Sequence, residues 1–360
     1  MDEIIGHADV LRELRGLAEA ADPVHALLLA GPAGTGRTLL ALEYARLLNC
    51  EARPGNGPGA APGLFALEPS TSTAVPCGQC RSCRLIGEGV HPDVITLGPG
   101  DTLCKPRPNE SGHERHPQSR DIRICQVRGL IDLVARYPFE ARYRMIIIDP
   151  ADRLGREAAN TLLKTLEEPP GHTVIALVTE APDSLIETVV SRCRRIDVRP
   201  VPRAEIESGL KRRGIEAVLA SQVASECHGR PGRAIDYARS PDLMGDRARL
   251  LERCRKIAAA KTSDRFTYAG ELAERFRRDR TLVHAELNAW EAFWEEQLQL
   301  AARQRDGDVA GIVEALRAIV LVRADLMGQV MARPALELML LSFPTLTLAE
   351  PVEEELATHA

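Results

Sequence analysis

Two groups of residues have the types and spacing that chemistry requires. The first is Gly31-Pro32-Ala33-Gly34-Thr35-Gly36-Arg37-Thr38. It follows the apolar run HALLLAG and precedes the helix-like run LLALEYARLL. Strand, glycine loop and helix together form the setting in which a backbone cradles phosphate. Gly31, Gly34 and Gly36 let successive N–H groups turn inward onto anionic oxygens, and the following helix adds its positive end. Thr38 supplies the hydroxyl that such loops offer to magnesium. Arg37 stands where a lysine is expected. Lysine is a compact point charge, whereas guanidinium is wide, planar and forked. The loop therefore keeps its means of neutralising phosphate, but its fit between a β- and a γ-phosphate is in doubt.

The other half of such a site reads YRMIIIDPAD, residues 143–152. An apolar strand ends at Asp149, where a carboxylate holds magnesium in P-loop ATPases. A glutamate that orients the attacking water is expected next, and Pro150 occupies that place. Asp152 replaces it only if the backbone bends unusually. A third strand, TVIALVT, ends at Thr179, whose hydroxyl either senses a γ-phosphate or caps a turn. Arg37 and Pro150 both depart toward lost catalysis. The alternative is an active ATPase in which Arg37 replaces lysine and Asp152 replaces glutamate.

The second group is cysteine. There are nine, and Cys50, Cys77, Cys80 and Cys83 make a pattern: one at the end of the helix after the loop, three in PCGQCRSCR. Overlapping C-x-x-C steps let thiolates converge on one ion at ~2.3 Å, leaving no open coordination position, which is the signature of structural zinc. His91 and Cys104 are competitors for the fourth place. The N-terminus does not resemble a secretory signal, so a reducing, cytoplasmic compartment is expected, in which disulfides are disfavoured. Farther on, Ser191-Arg192-Cys193 puts an arginine at a helix end. There it is either an ordinary surface side chain or a guanidinium offered to a neighbouring subunit's nucleotide.

These residues need a scaffold. HALLLAG, DVITLGP, YRMIIID, TVIALVT and CRRIDVRP alternate with helical segments through about residue 198, which predicts a parallel α/β sheet. Ligand loops sit at the carboxyl ends of such strands, and Gly31, Asp149 and Thr179 all fall there. A small helical segment follows to about residue 241, and apolar spacing near 3.6 predicts helices alone from 242 onward. Trp290 and Trp294, four apart on one helical face, read as packing anchors. Residues 52–76, rich in small residues and proline, and the polar stretch 98–120 read as disordered. His113 and His116 lie in the second and read as solvated rather than metal-binding. With 360 residues, several domains are expected. The net charge of −5 and aromatic content of 4% argue against a chain that grips nucleic acid directly through a basic or stacking surface. No apolar run approaches the ~18 residues of a membrane helix.

GPAGTGRT, CGQCRSC, IIIDPAD, AANTLLKTLEEPP at 158–170 and SRC at 191–193 occur in one order. In this the chain resembles the clamp-loader AAA+ subunits of bacterial DNA polymerase III. The resemblance covers residues 1 to about 240 and continues to MARPALELMLLSF at 331–343. It implies an AAA+ P-loop sheet at 1–198 with a zinc module at 50–83, a helical lid at 199–241, a helical collar domain at 242–350 and a tail at 351–360. Motor subunits of the family keep the P-loop lysine and an Asp-Glu pair. The profile here, with a degraded site and a retained SRC arginine, is most like the delta-prime branch. Arg192 is then a finger inserted in trans into a motor subunit's ATP site, and Cys50, Cys77, Cys80 and Cys83 match the family's zinc ligands. ATP and Mg2+ are possible ligands of the loop. The implied partners are gamma/tau-like motors, a delta-like subunit, the sliding clamp and primer-template DNA, within a DNA polymerase holoenzyme. In Gly229-Arg230-Pro231-Gly232-Arg233, where the family's second sensor arginine falls, glycine occupies the key place.

Overall fold

The structure is a computed structural model that describes residues 4–20, 23–53, 75–106, 113, 116–117, 119–240, 242–304, 308–327 and 331–346. Most of the insertion expected at 52–76, part of the 98–120 stretch and the 351–360 tail lie outside the described residues. The chain divides into two compact units, Met1–Arg239 and Ser240–Ala360.

Five strands form the sheet of the first unit: β1 (Ala26–Ala30), β2 (Val94–Leu97), β3 (Arg144–Ile148), β4 (Thr173–Thr179) and β5 (Arg194–Asp197). They lie in the order β2-β3-β4-β1-β5, and every pairing is parallel. A parallel sheet is buried on both faces, which explains why β1, β3 and β4 are unbroken apolar runs rather than alternating ones. Alternate residues still separate. Leu27, Leu29, Met145, Ile147 and Val178 pack with Leu14 of α1 (Ala8–Glu19) and Leu40, Tyr44 and Leu48 of α2 (Arg37–Asn49). Leu28, Ile146, Ile148, Ile175 and Leu177 face the other way, onto Val127 and Leu130 of α4 (Ile124–Val134) and Leu162 and Leu166 of α5 (Arg156–Glu167). Each buried leucine contributes ~1.5–3 kcal/mol, and the two layers together hold the strand ends in register. The short α3 (Arg81–Gly87) follows the cysteine run, and α6 (Glu187–Val190) precedes β5.

A buried ion pair braces one edge of the sheet. Asp93 and Arg144 are 0% and 6% exposed. Arg144 Nη2 donates to Asp93 Oδ1 at 3.0 Å, and the backbone N–H groups of Phe139, Glu140 and Ala141 donate to the same carboxylate. Arg144 also donates to the carbonyls of Leu133, Arg136 and Tyr137. The strand motif YRMIIID gave no sign of this role for its arginine.

After β5 come α7 (Arg203–Arg212), α8 (Ala217–Glu226) and α9 (Pro231–Arg239). The second unit, among the described residues, is helical throughout: α10 (Asp242–Ala259), α11 (Thr262–Arg278), α12 (Arg280–Gln304), α13 (Val309–Met327) and α14 (Ala332–Leu341). Trp290 and Trp294 are both 0% exposed at the centre of its core, with rings against Phe343. Buried Glu286 accepts from Tyr268 and pairs with Arg253 and Arg275. No described helix is long and apolar enough to cross a membrane.

The 98–120 stretch departs at its start from its reading as disordered. Lys105 N–H donates to Cys125 O, and Gln126 Nε2 donates to Gly98 O and Asp101 O. Leu103 packs on the α4 and α5 core. A single apolar residue and two carbonyls suffice to seat this segment, and composition averaged over the stretch conceals them.

Candidate functional site

The glycine loop closes over the carboxyl end of β1. Gly34 and Gly36 take φ of +78° and +96°, in the left-handed region that favours glycine. Gly31 is required for another reason: a Cβ there would stand 2.1 Å from Val198 O, where β5 leaves the sheet. His7 Nε2 lies 2.7 Å from Thr35 O, so the segment before α1 braces the loop. From the other side Gly232 N–H, at the start of α9, donates to Gly34 O at 2.8 Å. A Cβ at Gly34 would stand 3.5 Å from Arg230 Cβ and 3.7 Å from Arg233 N, so the 229–233 segment runs beside the loop.

Four of the expected site residues meet at this place. Thr38 Oγ1 donates to Asp149 Oδ2 at 2.5 Å, joining the hydroxyl and the carboxylate that would share a magnesium ion. Thr179, wholly buried at the end of β4, donates to Asp152 Oδ1 at 2.9 Å and accepts from Ala181 N–H. Arg37 is half-buried, and its Nη1 has no hydrogen-bond partner. Burial lowers its pKa, opposed by the negative field of Glu180, Asp149 and Asp152. A buried guanidinium nitrogen without an acceptor, on the first residue of the helix after the glycine loop, suits an anionic oxygen. These residues therefore fit a nucleotide phosphate with magnesium.

A single 3-10 turn at Ala151–Arg153 carries Asp152 back toward Thr179. Glu180 is the residue that the sequence reading missed. It follows Thr179 directly, and a charge one step beyond an apolar strand end was the signal available.

The four cysteines also converge. The Sγ atoms of Cys50, Cys77, Cys80 and Cys83 lie within 4.8 Å of one another. Cys50 caps α2, and Cys80 caps α3. Backbone N–H groups point at the sulfurs: Cys77 to Cys50, Cys80 to Cys77 and Cys83 to Cys80, at 3.3–3.4 Å. The donations from Cys80 and Gln79 hold the Cys77 thiol down at about 6, whereas burial raises Cys50 and Cys83. Glu51 accepts from both Ser82 N–H and Ser82 Oγ, tying the α2 end to the cysteine run. Four thiols with N–H donors already aimed at them fit a closed tetrahedral zinc. His91 stands outside the group. It is buried, and its Nδ1 accepts from Asp93 N–H.

The SRC turn separates its residues cleanly. Cys193 packs inward, its thiol pushed up to about 12 by burial. Ser191 Oγ donates to Thr188 O. Arg192 points out, its Nη1 on Thr188 O at 2.8 Å and its Nη2 2.6 Å from Glu167 Oε1. Glu167 belongs to the TLLKTLEEPP run, so two motifs far apart in sequence meet at one ion pair.

A parallel sheet with a glycine loop at β1, a magnesium-type carboxylate at β3 and a polar residue at the end of β4 defines an AAA+ P-loop protein with a helical C-terminal unit. Residues 6–202 match the family described as DNA polymerase III, delta subunit, and with more than half of it matched the chain belongs to that family. Within it the chain is a clamp-loader AAA+ subunit, most like delta-prime. It is similar to the DNA polymerase III subunit delta' of Pseudomonas aeruginosa, 34% identical over 177 residues, 49% of this chain and 44% of that one. It is 29% identical to the Bacillus subtilis subunit delta' over 228 residues, 63% of this chain and 58% of the relative. The Bacillus subtilis subunit tau is 30% identical over 200 residues, 56% of this chain and 29% of tau. The matched region thus spans about half the length of the delta' relatives.

Proposed function

We propose that this chain acts as a delta-prime-type subunit in loading a sliding clamp onto primer-template DNA. In this reading it assembles with gamma/tau-like motors and a delta-like subunit in the cytoplasm. Its own ATPase site is degraded, and Arg192 serves a neighbour's. The supporting observation is the contrast between two places in the first unit. At the glycine loop, phosphate- and magnesium-binding groups are present, but the residue after Asp149 is proline. Asp152, the carboxylate that could stand in, is engaged by Thr179. At the SRC turn an exposed guanidinium stands on a turn anchored by Cys193, in a close but solvent-screened ion pair with the half-exposed Glu167. An arginine supplied in trans to a phosphoryl-transfer site is worth ~10³–10⁵ in rate at that site.

The zinc module holds α2 and α3 together and takes no part in chemistry. The 199–241 helices act as the lid and the 242–350 helices as the collar through which subunits assemble. The test is the assembled complex carrying Arg192→Ala, with the isolated chain run beside it. A fall in the complex's ATPase rate, with negligible hydrolysis by the isolated chain, is expected. Normal ATPase after the substitution would remove the trans role.

One observation supports a second reading, an active ATPase: Asp152, on the 3-10 turn, contributes to the negative field at Arg37. That reading requires magnesium-dependent, single-turnover hydrolysis by the purified chain, abolished by Asp152→Asn.

A further inference from the structure

Nine cysteines are more than one zinc module uses, and two of the others do not behave as packing residues. Cys104 Sγ lies 3.0 Å from His113 Nε2. Cys125 Sγ, on the first turn of α4, completes a set whose ligand atoms all lie within 4.8 Å of one another. No residue is shared with the Cys50 group. The elements differ too: that group joins α2 to α3, whereas this one joins the 98–120 stretch to α4. His116 stands beside His113, with ring centroids 5.1 Å apart and planes at 87°. His116 lies outside that 4.8 Å set, and only a rotation of its side chain would bring a nitrogen to the same point.

We infer that Cys104, His113 and Cys125, with His116 as fourth ligand, form a second metal site that takes zinc. The donor set decides the metal. Two thiolates and two neutral imidazoles in a closed arrangement are soft and borderline ligands that suit tetrahedral zinc, and they offer nothing to magnesium or calcium. Binding releases the two thiol protons, and the pair of thiolates then balances the charge of the ion.

The placement supports a clip rather than a reaction centre. The segment before Cys104 already rests on α4, through Lys105 N–H on Cys125 O and Gln126 on Gly98 O and Asp101 O. A metal joining Cys104, His113 and Cys125 closes the rest of the segment onto the same helix end. The entropy cost of closing such a loop rises only slowly with its length, so one ion suffices to tie a polar stretch that has almost no apolar residues of its own.

The test is metal content of the full-length chain, stripped under reducing conditions and reloaded with zinc. Cys104→Ser and His113→Ala should each lose one equivalent relative to the parent, while Cys77→Ser/Cys80→Ser loses a different one. The cobalt(II)-loaded parent should show sulfur-to-metal charge transfer that falls on Cys104→Ser. His116→Ala should shift the d–d bands, and an unchanged spectrum would exclude His116 from the set. A parent with one equivalent, lost on Cys104→Ser and kept on Cys77→Ser/Cys80→Ser, would support this site and remove the other.

A second readout avoids variants altogether. In the parent, zinc should slow alkylation of Cys104 and Cys125, read by mass spectrometry, compared with chelator. The inference is overturned if Cys104→Ser and His113→Ala keep the parent's stoichiometry. It is equally overturned if Cys104 and Cys125 alkylate at the same rate with and without zinc.

Discussion

Thr179 Oγ1 donates to Asp152 Oδ1 at 2.9 Å, joining the end of β4 to the turn after β3. The bond engages the strand-end hydroxyl and the carboxylate that, in the proposed reading, would otherwise serve a nucleotide.

Asp152→Ala leaves the buried Thr179 hydroxyl without that acceptor and should cost ~1–3 kcal/mol, measured by denaturant unfolding. If the site is degraded as proposed, hydrolysis by the purified chain stays at background before and after the change. Arg37→Lys should tighten nucleotide binding, because a point charge enters between phosphates more readily than a fork. It should add no turnover, since Pro150 remains. A fluorescent-nucleotide titration alongside a phosphate-release assay separates the two effects.

Glu167→Ala tests the outward arginine from the other side. A half-exposed ion pair contributes ~0–1 kcal/mol, so the isolated chain should melt almost unchanged. The complex's ATPase should persist, because the guanidinium is released rather than removed. Loss of complex activity as severe as that of Arg192→Ala would show that the pair itself, and not a free arginine, is what the neighbour needs.

Removing metal from the Cys50 group should loosen the α2–α3 connection. Cys83→Ser, or a strong chelator, is expected to lower the melting temperature and expose the 75–90 segment to protease. Structural zinc contributes on the order of 10 kcal/mol where a small module depends on it. Here α2 is also held by the sheet core, so the loss should stay local. Hydrogen exchange confined to α3 and its flanks is the expected pattern, and global unfolding would contradict it.

Asp93→Ala leaves Arg144 charged and buried without its partner and should destabilise by ~3–5 kcal/mol. Burial alone would raise the Asp93 pKa. The N–H donors of Glu140, Phe139 and Ala141 together with Arg144 outweigh that effect and hold it below the usual carboxylate value of 3.8. A depressed carboxylate stabilises the fold fully above its unfolded pKa, and that contribution is lost as pH falls through the folded one. Acid titration of the parent should show this component disappearing below about pH 4, and the Asp93→Ala variant should lack it.

How much was legible beforehand follows from the range of each interaction. The strands β1, β3 and β4 are short, mostly apolar runs between turn signals, and a run of that kind announces itself locally. The glycine loop is legible because positive φ and the close approach at Gly31 demand glycine at set spacings. Cys77, Cys80 and Cys83 are legible because their convergence is built within one short run of chain. Cys50 is legible only by its place at a helix end.

What the chain could not announce was decided by turns that bring distant segments together. The 3-10 turn at Ala151–Arg153 places Asp152 on Thr179, a pairing that neither motif specifies. Arg192 meets Glu167 because β4 and its flanking loops return the chain to the end of α5. Asp93 meets Arg144 because β2 and β3 are neighbours, an adjacency that strand patterns do not specify. Cys104, His113 and Cys125 converge because the loop and α4 share an edge. Local spacing determined the identity of the elements and their ligand types. The tertiary structure alone determined which charges and thiols became neighbours, since pairing across tens of residues depends on loop geometry that no short motif encodes.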